Sequence, residues 1–252
     1  MTGLARRLGS LPGRMLLALS DALPQARLEG LIVGLVARRV RSLPPAEALK
    51  LLFRIDQALY PLQGRCAVDY GNGVHTKHRH TGYHDFFVRR CPSRSRVLEL
   101  GCGGGALADD IASRTGCRVV AIDIVAANIE AARQRYSSPV DWRVGDATQG
   151  LPEGPFDIVV LSNVLEHIDD RGSFLAQIHI LAPGRLLIRV PDLERDWRVP
   201  LKRELGVEWR LDPTHATEYT AESLRHELAA AKFAVRHLDR QWGEIWAEAG
   251  PT

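Results

Sequence analysis

Long apolar runs are missing from this 252-residue chain. No stretch reaches the ~18 apolar residues that a membrane-spanning helix needs, and "MLLAL" near the start is too short for the core of a secretory leader. Cysteine is scarce. Cys66, Cys91, Cys102 and Cys117 show no C-x-x-C spacing, so neither a zinc knuckle nor a disulfide framework is indicated. Charge of one sign is missing too. A net +3 with 6% aromatics supplies neither the strong basic stripe nor the interleaved rings of a nucleic-acid surface. Internal repeats and low-complexity tracts are absent. These absences lead to the expectation of a cytoplasmic protein with one main domain able to bury a sizeable core.

What charge there is sits unevenly. Residues 1–41 carry seven arginines against Asp21 and Glu29, a net +5. Leu and Val recur there at helical intervals. Such a segment either packs on the main domain as an amphipathic cap or meets an anionic membrane surface or an acidic partner.

Residues 1–74 read as a helical N-terminal extension. "LPQARLEGLIVGLVARRV" places Leu28, Leu31, Ile32, Leu35 and Val36 on one stripe. Ser42 before "LPPAEALKLLFRIDQAL" reads as a helix start with prolines in its first turn. "PLQGRCAVDYGNGVH" carries turn residues and marks a boundary near 61–74. From residue 96 short apolar strands alternate with helices: "RVLELG", "RVVAIDI", "VDWRVGD", "FDIVVLS" and "RLLIRVP". That alternation predicts an α/β domain over 75–252, with a mostly parallel sheet covered on both faces. The last two strands, "FAVRHLDR" and "WGEIWAEA", are too close for a parallel crossover and must form an antiparallel hairpin.

"ELGCGGGA", residues 99–106, follows the first strand and opens a helix. Gly101, Gly103 and Gly105 allow a sharp turn and bring main-chain N–H groups up to a ligand. Asp123 ends the next strand, 22 residues after Gly101, where a carboxylate can accept from a ribose diol. The spacing also satisfies the G-x-G-x-x-A of a nicotinamide dehydrogenase. Three features argue against that cofactor. Glu99 beside the loop suits an ammonium better than a pyrophosphate. Asp146 in "GDA" is placed to accept from an adenine amino group. The sheet also ends in a hairpin rather than in a second βαβ half.

With "VLELGCGGG", "AIDI", "VGDA" and "FDIVVLSNVLEHI" the chain resembles the class I S-adenosylmethionine-dependent methyltransferases over roughly residues 75–247. The resemblance implies a Rossmann-like fold with a seven-stranded, mostly parallel sheet. It implies S-adenosyl-L-methionine as cofactor, with Gly101 and Gly103 at its methionine half. Glu99 contacts or supports that end. Asp123 and Ile124 meet the ribose side, Asp146 and Ala147 the adenine, and Ser162 and Asn163 form the floor.

Methyl transfer is an in-line displacement whose first requirement is alignment in a dry site. A hydroxyl acceptor must also lose its proton, which calls for a base near neutrality or a metal. "SNVLEHIDD" supplies Glu166 and His167 after the fourth strand, and "DPTHATEYT" supplies His215 after the fifth. Both loops lie at the carboxyl edge where open α/β sheets place their ligands. "LEH" here is similar to the ubiquinone-pathway O-methyltransferases and the small-RNA 2′-O-methyltransferases. In those families a Glu-x-x-Glu-His run plus a later histidine is associated with a divalent metal. This chain has Asn163 at the first glutamate's position, which removes an anionic ligand. No metal ligand is therefore assigned, and a metal-free base and a metal-assisted site stay open as alternatives. No N/D-P-P-Y/F run and no Pro-Cys pair points to amide or adenine nitrogen or to pyrimidine carbon. The expected acceptor is a polar small molecule or a carrier-linked group, methylated at oxygen, with nitrogen as the alternative.

Two further segments complete the expected site. Residues 191–219 read as an acceptor lid, with Trp197, Arg198, Trp209 and Tyr219 toward the substrate. "HTKHRHTGYH", residues 75–84, holds four of the nine histidines, but no familiar metal spacing. By resemblance it closes over the cofactor, with Arg79 or Lys77 at the cofactor's carboxylate and His78 and Tyr83 facing the cleft.

Overall fold

The alternating signals from Arg96 onward become a single seven-stranded sheet in the computed structural model, which describes residue 18, residues 20–181 and residues 183–252. The chain divides between Ala58 and Leu59 into two compact units. The first contains α1 (Gln25–Arg41) and the start of α2 (Pro45–Tyr70). Arg6, Arg7 and Arg14 of the basic segment lie outside the described residues.

One expectation for this region is corrected. Ser42 closes α1 instead of opening α2: its hydroxyl donates to the Arg39 carbonyl at 2.8 Å. Helix α2 then begins at Pro45, where a missing N–H costs nothing. Within the turn-rich stretch 61–74 the helix persists, because α2 runs through Pro61 to Tyr70. One proline removes one hydrogen bond, and the following residues restore the ladder. The stop comes at Gly71–Asn72–Gly73, where Asn72 and Gly73 take φ values of 52° and 86° and the Gly73 N–H reaches the Val68 carbonyl at 2.8 Å.

Short helices α3 (Lys77–Thr81) and α4 (Tyr83–Val88) lead into the sheet. Its strands are β1 (Arg96–Leu100), β2 (Arg118–Asp123), β3 (Val140–Val144), β4 (Ile158–Ser162), β5 (Arg185–Pro191), β6 (Phe233–Gln241) and β7 (Glu244–Pro251). They lie in the order β3-β2-β1-β4-β5-β7-β6, with β7 antiparallel to both neighbours. Between them run α5 (Ala106–Thr115), α6 (Ala126–Arg135), a 3₁₀ turn at Leu165–His167, α7 (Arg171–Ile180), α8 (Arg198–Glu204) and α9 (Ala221–Ala230).

The pleat separates two cores. Leu98, Leu100, Val159, Leu161, Leu186 and Ile188 pack with α7 and α9 on one face. Val97, Val119, Ala121, Val160, Leu187 and Trp246 pack with α4, α5 and α6 on the other. Side chains alternate along each strand, so this second face also receives Asp123, Glu99, Ser162, Arg189 and Glu244. The register aligns them: Glu99 lies beside Val160, Ser162 beside Arg189, and Arg189 beside Trp246. The core face therefore ends in a polar row along the carboxyl edge of the parallel strands.

Candidate active site

That row borders a cavity of about 300 Å³. Glu99, Gly101, Gly103, Gly104 and Ser162 line it from the sheet and glycine loop, His75, Lys77, His78 and Tyr83 from the histidine-rich segment, and Arg189 from β5. Gly101 and Gly103 sit at φ of 68° and 53°, a region costly for a side chain. A Cβ on Gly101 would come within 2.5 Å of Val164, whereas Cβ atoms on Gly103 and Gly104 would meet no protein atom within 4 Å. The loop is thus braced from behind and open in front.

Glu99 is 2% exposed, and its Oε2 has no hydrogen-bond partner. Burial pushes its pKa up to about 8, and nearby Asp123 adds to the rise, while Arg189 opposes it. A buried unpartnered carboxyl is costly unless a cation meets it. The ammonium of an amino-acid-bearing cofactor fits that position, so the residues present match the cofactor that the fold implies.

Asp123 is engaged with protein. Its Oδ2 accepts from the Gly103 N–H at 2.7 Å, and its Oδ1 accepts from the Val125 N–H and the Asn128 side-chain amide at 2.9 and 3.1 Å. It ties the glycine loop to the end of β2. Ile124 beyond it is 65% exposed. Asp146 accepts from the Thr148 N–H and hydroxyl at 2.9 and 2.7 Å, and Ala147 is half-buried beside it. These four residues and Asn163 stand outside the cavity lining. Asn163 takes φ of 57° with its buried Oδ1 unpartnered.

In the histidine-rich segment, the His78 ring meets the Tyr83 hydroxyl at 2.9 Å. Burial, with His84, Lys77 and Arg189 nearby, drops its pKa to about 3 and keeps it neutral. Burial also lowers Lys77, helped by Arg189. Arg79 does not line this cavity; its guanidinium lies 5.6 Å from the centre of the Tyr70 ring.

Glu166, His167 and His215 do converge. Their ligand atoms all lie within 4.8 Å of one another, and the two imidazoles meet edge-on at 4.6 Å. Glu166 is fully buried, neither oxygen has a partner, and burial raises its pKa to about 7. Its carbonyl accepts from the Ala216 and Thr217 N–H groups at 2.8 and 3.2 Å, which fastens the 3₁₀ turn to the His215 loop. His167 Nδ1 meets the Thr214 hydroxyl at 3.1 Å, and His215 Nδ1 donates to Glu218 at 2.9 Å. Each ring therefore has its Nε2 to offer, the orientation seen around bound metals.

The lid residues divide. Trp197 is 71% exposed, and Arg198 pairs with Asp196. Trp209 lies under Arg203 and lines a second cavity, of about 740 Å³, with Glu208, Arg210 and Thr217. Tyr219 departs from expectation. It is 1% exposed, and its hydroxyl donates to Glu227 at 2.9 Å, so it belongs to the core against α9.

Sequence reading missed Arg189. This side chain is buried at 4% exposure and lines the main cavity. Its Nε donates to Ser162 Oγ at 3.1 Å and its Nη1 to Glu244 at 2.9 Å, while its plane lies 3.9 Å from the Tyr83 ring centre. The signal was present as one arginine inside the apolar strand "RLLIRVP", an expensive placement that calls for a reason.

Sheet order, braced glycine loop and carboxyl-edge cavity together define the fold of the S-adenosylmethionine-dependent methyltransferases. The chain belongs to the methyltransferase-domain family, whose profile matches residues 75–238. It is 34% identical over 155 residues to a ubiquinone biosynthesis O-methyltransferase of Rhodopseudomonas palustris, a match covering 58% of this chain and 60% of that protein. Against several other such relatives the match spans about half of their length. The magnesium protoporphyrin IX methyltransferase of Synechocystis, solved with S-adenosylhomocysteine, superposes with a TM-score of 0.54 at 20% identity, covering 69% of this chain and 84% of that one. A TehB-like methyltransferase of Corynebacterium glutamicum does so with a TM-score of 0.54 at 19% identity, covering 79% and 100%.

Proposed function

We propose that this chain transfers a methyl group from S-adenosyl-L-methionine to an oxygen of a polar small-molecule or carrier-linked acceptor. The observation that carries this reading is Glu99, buried and unpartnered at the open front of the glycine loop. Glu99 receives the cofactor's ammonium, Lys77 its carboxylate, Gly101 and Gly103 the chain between, and Asp123, Ile124, Asp146 and Ala147 the nucleoside along the open edge. S-adenosyl-L-methionine bound there would supply an activated methyl carbon, which the acceptor oxygen would take as the carbon–sulfur bond breaks, leaving a neutral thioether. A base must take the hydroxyl proton, and a histidine Nε2 at the His167–His215 pair is suited to it.

Glu166, His167 and His215 also fit a divalent cation, the group that similar families associate with an "LEH" run. Both unpartnered Glu166 oxygens favour that fit, and Asn163 at the neighbouring ligand position opposes it. A bound cation would act as a Lewis acid on the acceptor hydroxyl and lower its pKa.

Calorimetry with S-adenosylmethionine and S-adenosylhomocysteine tests the cofactor site, and Gly101→Arg abolishes binding if the loop holds it. Methyl incorporation into a metabolite extract tests the reaction.

Helix α1 supports a second role, at an anionic membrane surface. None of its residues is buried, Leu31, Ile32 and Leu35 are at least half exposed, and Arg27, Arg38, Arg39 and Arg41 stand against Glu29 alone. Flotation with phosphatidylglycerol vesicles should carry the protein up, and Leu31→Glu with Leu35→Glu should release it. Binding confined to an acidic protein would overturn the membrane assignment.

A further inference from the structure

The Arg189 guanidinium is the least explained group in the cavity. Of its five N–H donors, two are used, on Ser162 and Glu244, so three have no partner among the described residues. The ring of Tyr83 covers one face at 3.9 Å, and Trp246 lies 5.5 Å away. With a face blocked, the group can offer a ligand only its edge, and the edge of a guanidinium matches a carboxylate in plane.

Strand order says which ligand this is. The glycine loop and Glu99 lie on β1, with β2 on one side of it and β4 on the other. Arg189 stands on β5, one strand past Ser162, and its partner Glu244 begins β7, one strand further. The cofactor's amino-acid end belongs on the β1 side of Ser162. Arg189 lines the same cavity from β5, two strands away from Glu99, and is assigned to what lies beyond Ser162.

We propose that Arg189 is the acceptor-recognition residue and that the acceptor carries a carboxylate beside the hydroxyl that is methylated. This rests on the methyltransferase reading and narrows its substrate class. Ser162 and Glu244 fix the guanidinium in rotation, and Tyr83 holds its plane, so an acid is read by geometry as well as by charge.

The test uses full-length protein saturated with S-adenosylhomocysteine and titrated calorimetrically with 2,3-dihydroxybenzoate and 2-hydroxyhexanoate, each against its neutral amide. At least one acid should bind roughly tenfold or more tighter than its amide. Arg189→Met combined with Glu244→Gln, which leaves no orphaned charge, should abolish that preference, and a loss of S-adenosylhomocysteine affinity of roughly tenfold or more would instead place Arg189 on the cofactor and overturn the proposal. Arg189→Lys should restore only part of it. Equal binding of acid and amide, or no binding of either acid to the S-adenosylhomocysteine-loaded protein, overturns the proposal. An unchanged preference in the double variant does so too. Failure to bind S-adenosylhomocysteine at all would instead overturn the methyltransferase reading beneath it.

Discussion

His215 and Glu218 form a buried imidazole–carboxylate pair, with Nδ1 donating to Oε1 at 2.9 Å and the Glu218 side chain fully enclosed. The same carboxylate accepts from the Leu211 N–H and from Arg195, both at 2.6 Å. Glu218→Ala would strand three donors at once and should cost about 3–5 kcal/mol of stability, read by urea denaturation. His215→Ala leaves a smaller defect. It should reduce methyl incorporation by roughly a hundredfold or more, with S-adenosylhomocysteine affinity unchanged. Normal incorporation by His215→Ala would remove His215 from the chemistry.

Gly104 separates folding from binding. It lines the cavity, its φ is not left-handed, and a Cβ there meets nothing within 4 Å. Gly104→Ala should keep stability within about 0.5 kcal/mol and weaken S-adenosylhomocysteine by roughly tenfold. Unaltered affinity would mean that the ligand does not approach this backbone.

Glu99 predicts a proton count. Its folded pKa of about 8 stands above the ordinary 4.5, so at pH 7 the empty site holds a proton that a bound ammonium expels. Calorimetry in buffers of different ionisation enthalpy should show release of up to about one proton per cofactor, fading above pH 9 and absent in Glu99→Gln. The same shift bears on stability. An acid whose folded pKa is raised stabilises the fold below its unfolded pKa, so this contribution is whole below pH 4.5 and declines as pH rises toward 8. Glu99→Gln should flatten the decline.

The Glu166–His167–His215 cluster predicts a metal titration. Mn²⁺ should bind once per chain, and Glu166→Gln should weaken it at least roughly tenfold. If wild type and variant titrate alike, the unpartnered carboxylate serves the acceptor and not a cation.

Much of this was legible in the residues. Glycine spacing, the acids ending β1 and β2, and the closing hairpin leave local signatures, and each strand sits where its apolar run lies. Glu166, His167 and His215 were legible as a set because each follows a strand on the same edge. Arg189 was not, since its value comes from cross-strand neighbours that no local pattern encodes. Tyr219 misled for the converse reason. An aromatic in a polar loop reads as a ligand contact until α9 is seen to supply Glu227 for its hydroxyl. Within the stretch 61–74 Pro61 did not end the helix, because one proline removes one bond, and the stop came at Asn72 and Gly73, both left-handed.

The hairpin between β6 and β7 turns on Trp242 and Gly243, both left-handed, at φ of 57° and 74°. Its two-residue length sets the phase at which β7 starts, and so the side of the sheet on which Glu244 emerges. Lengthening that turn by one residue without a compensating bulge would point the glutamate at the opposite layer and leave the arginine's charge unanswered. If Arg189 reads the acceptor as proposed, ligand choice can thus be rewritten from the two-residue turn between β6 and β7.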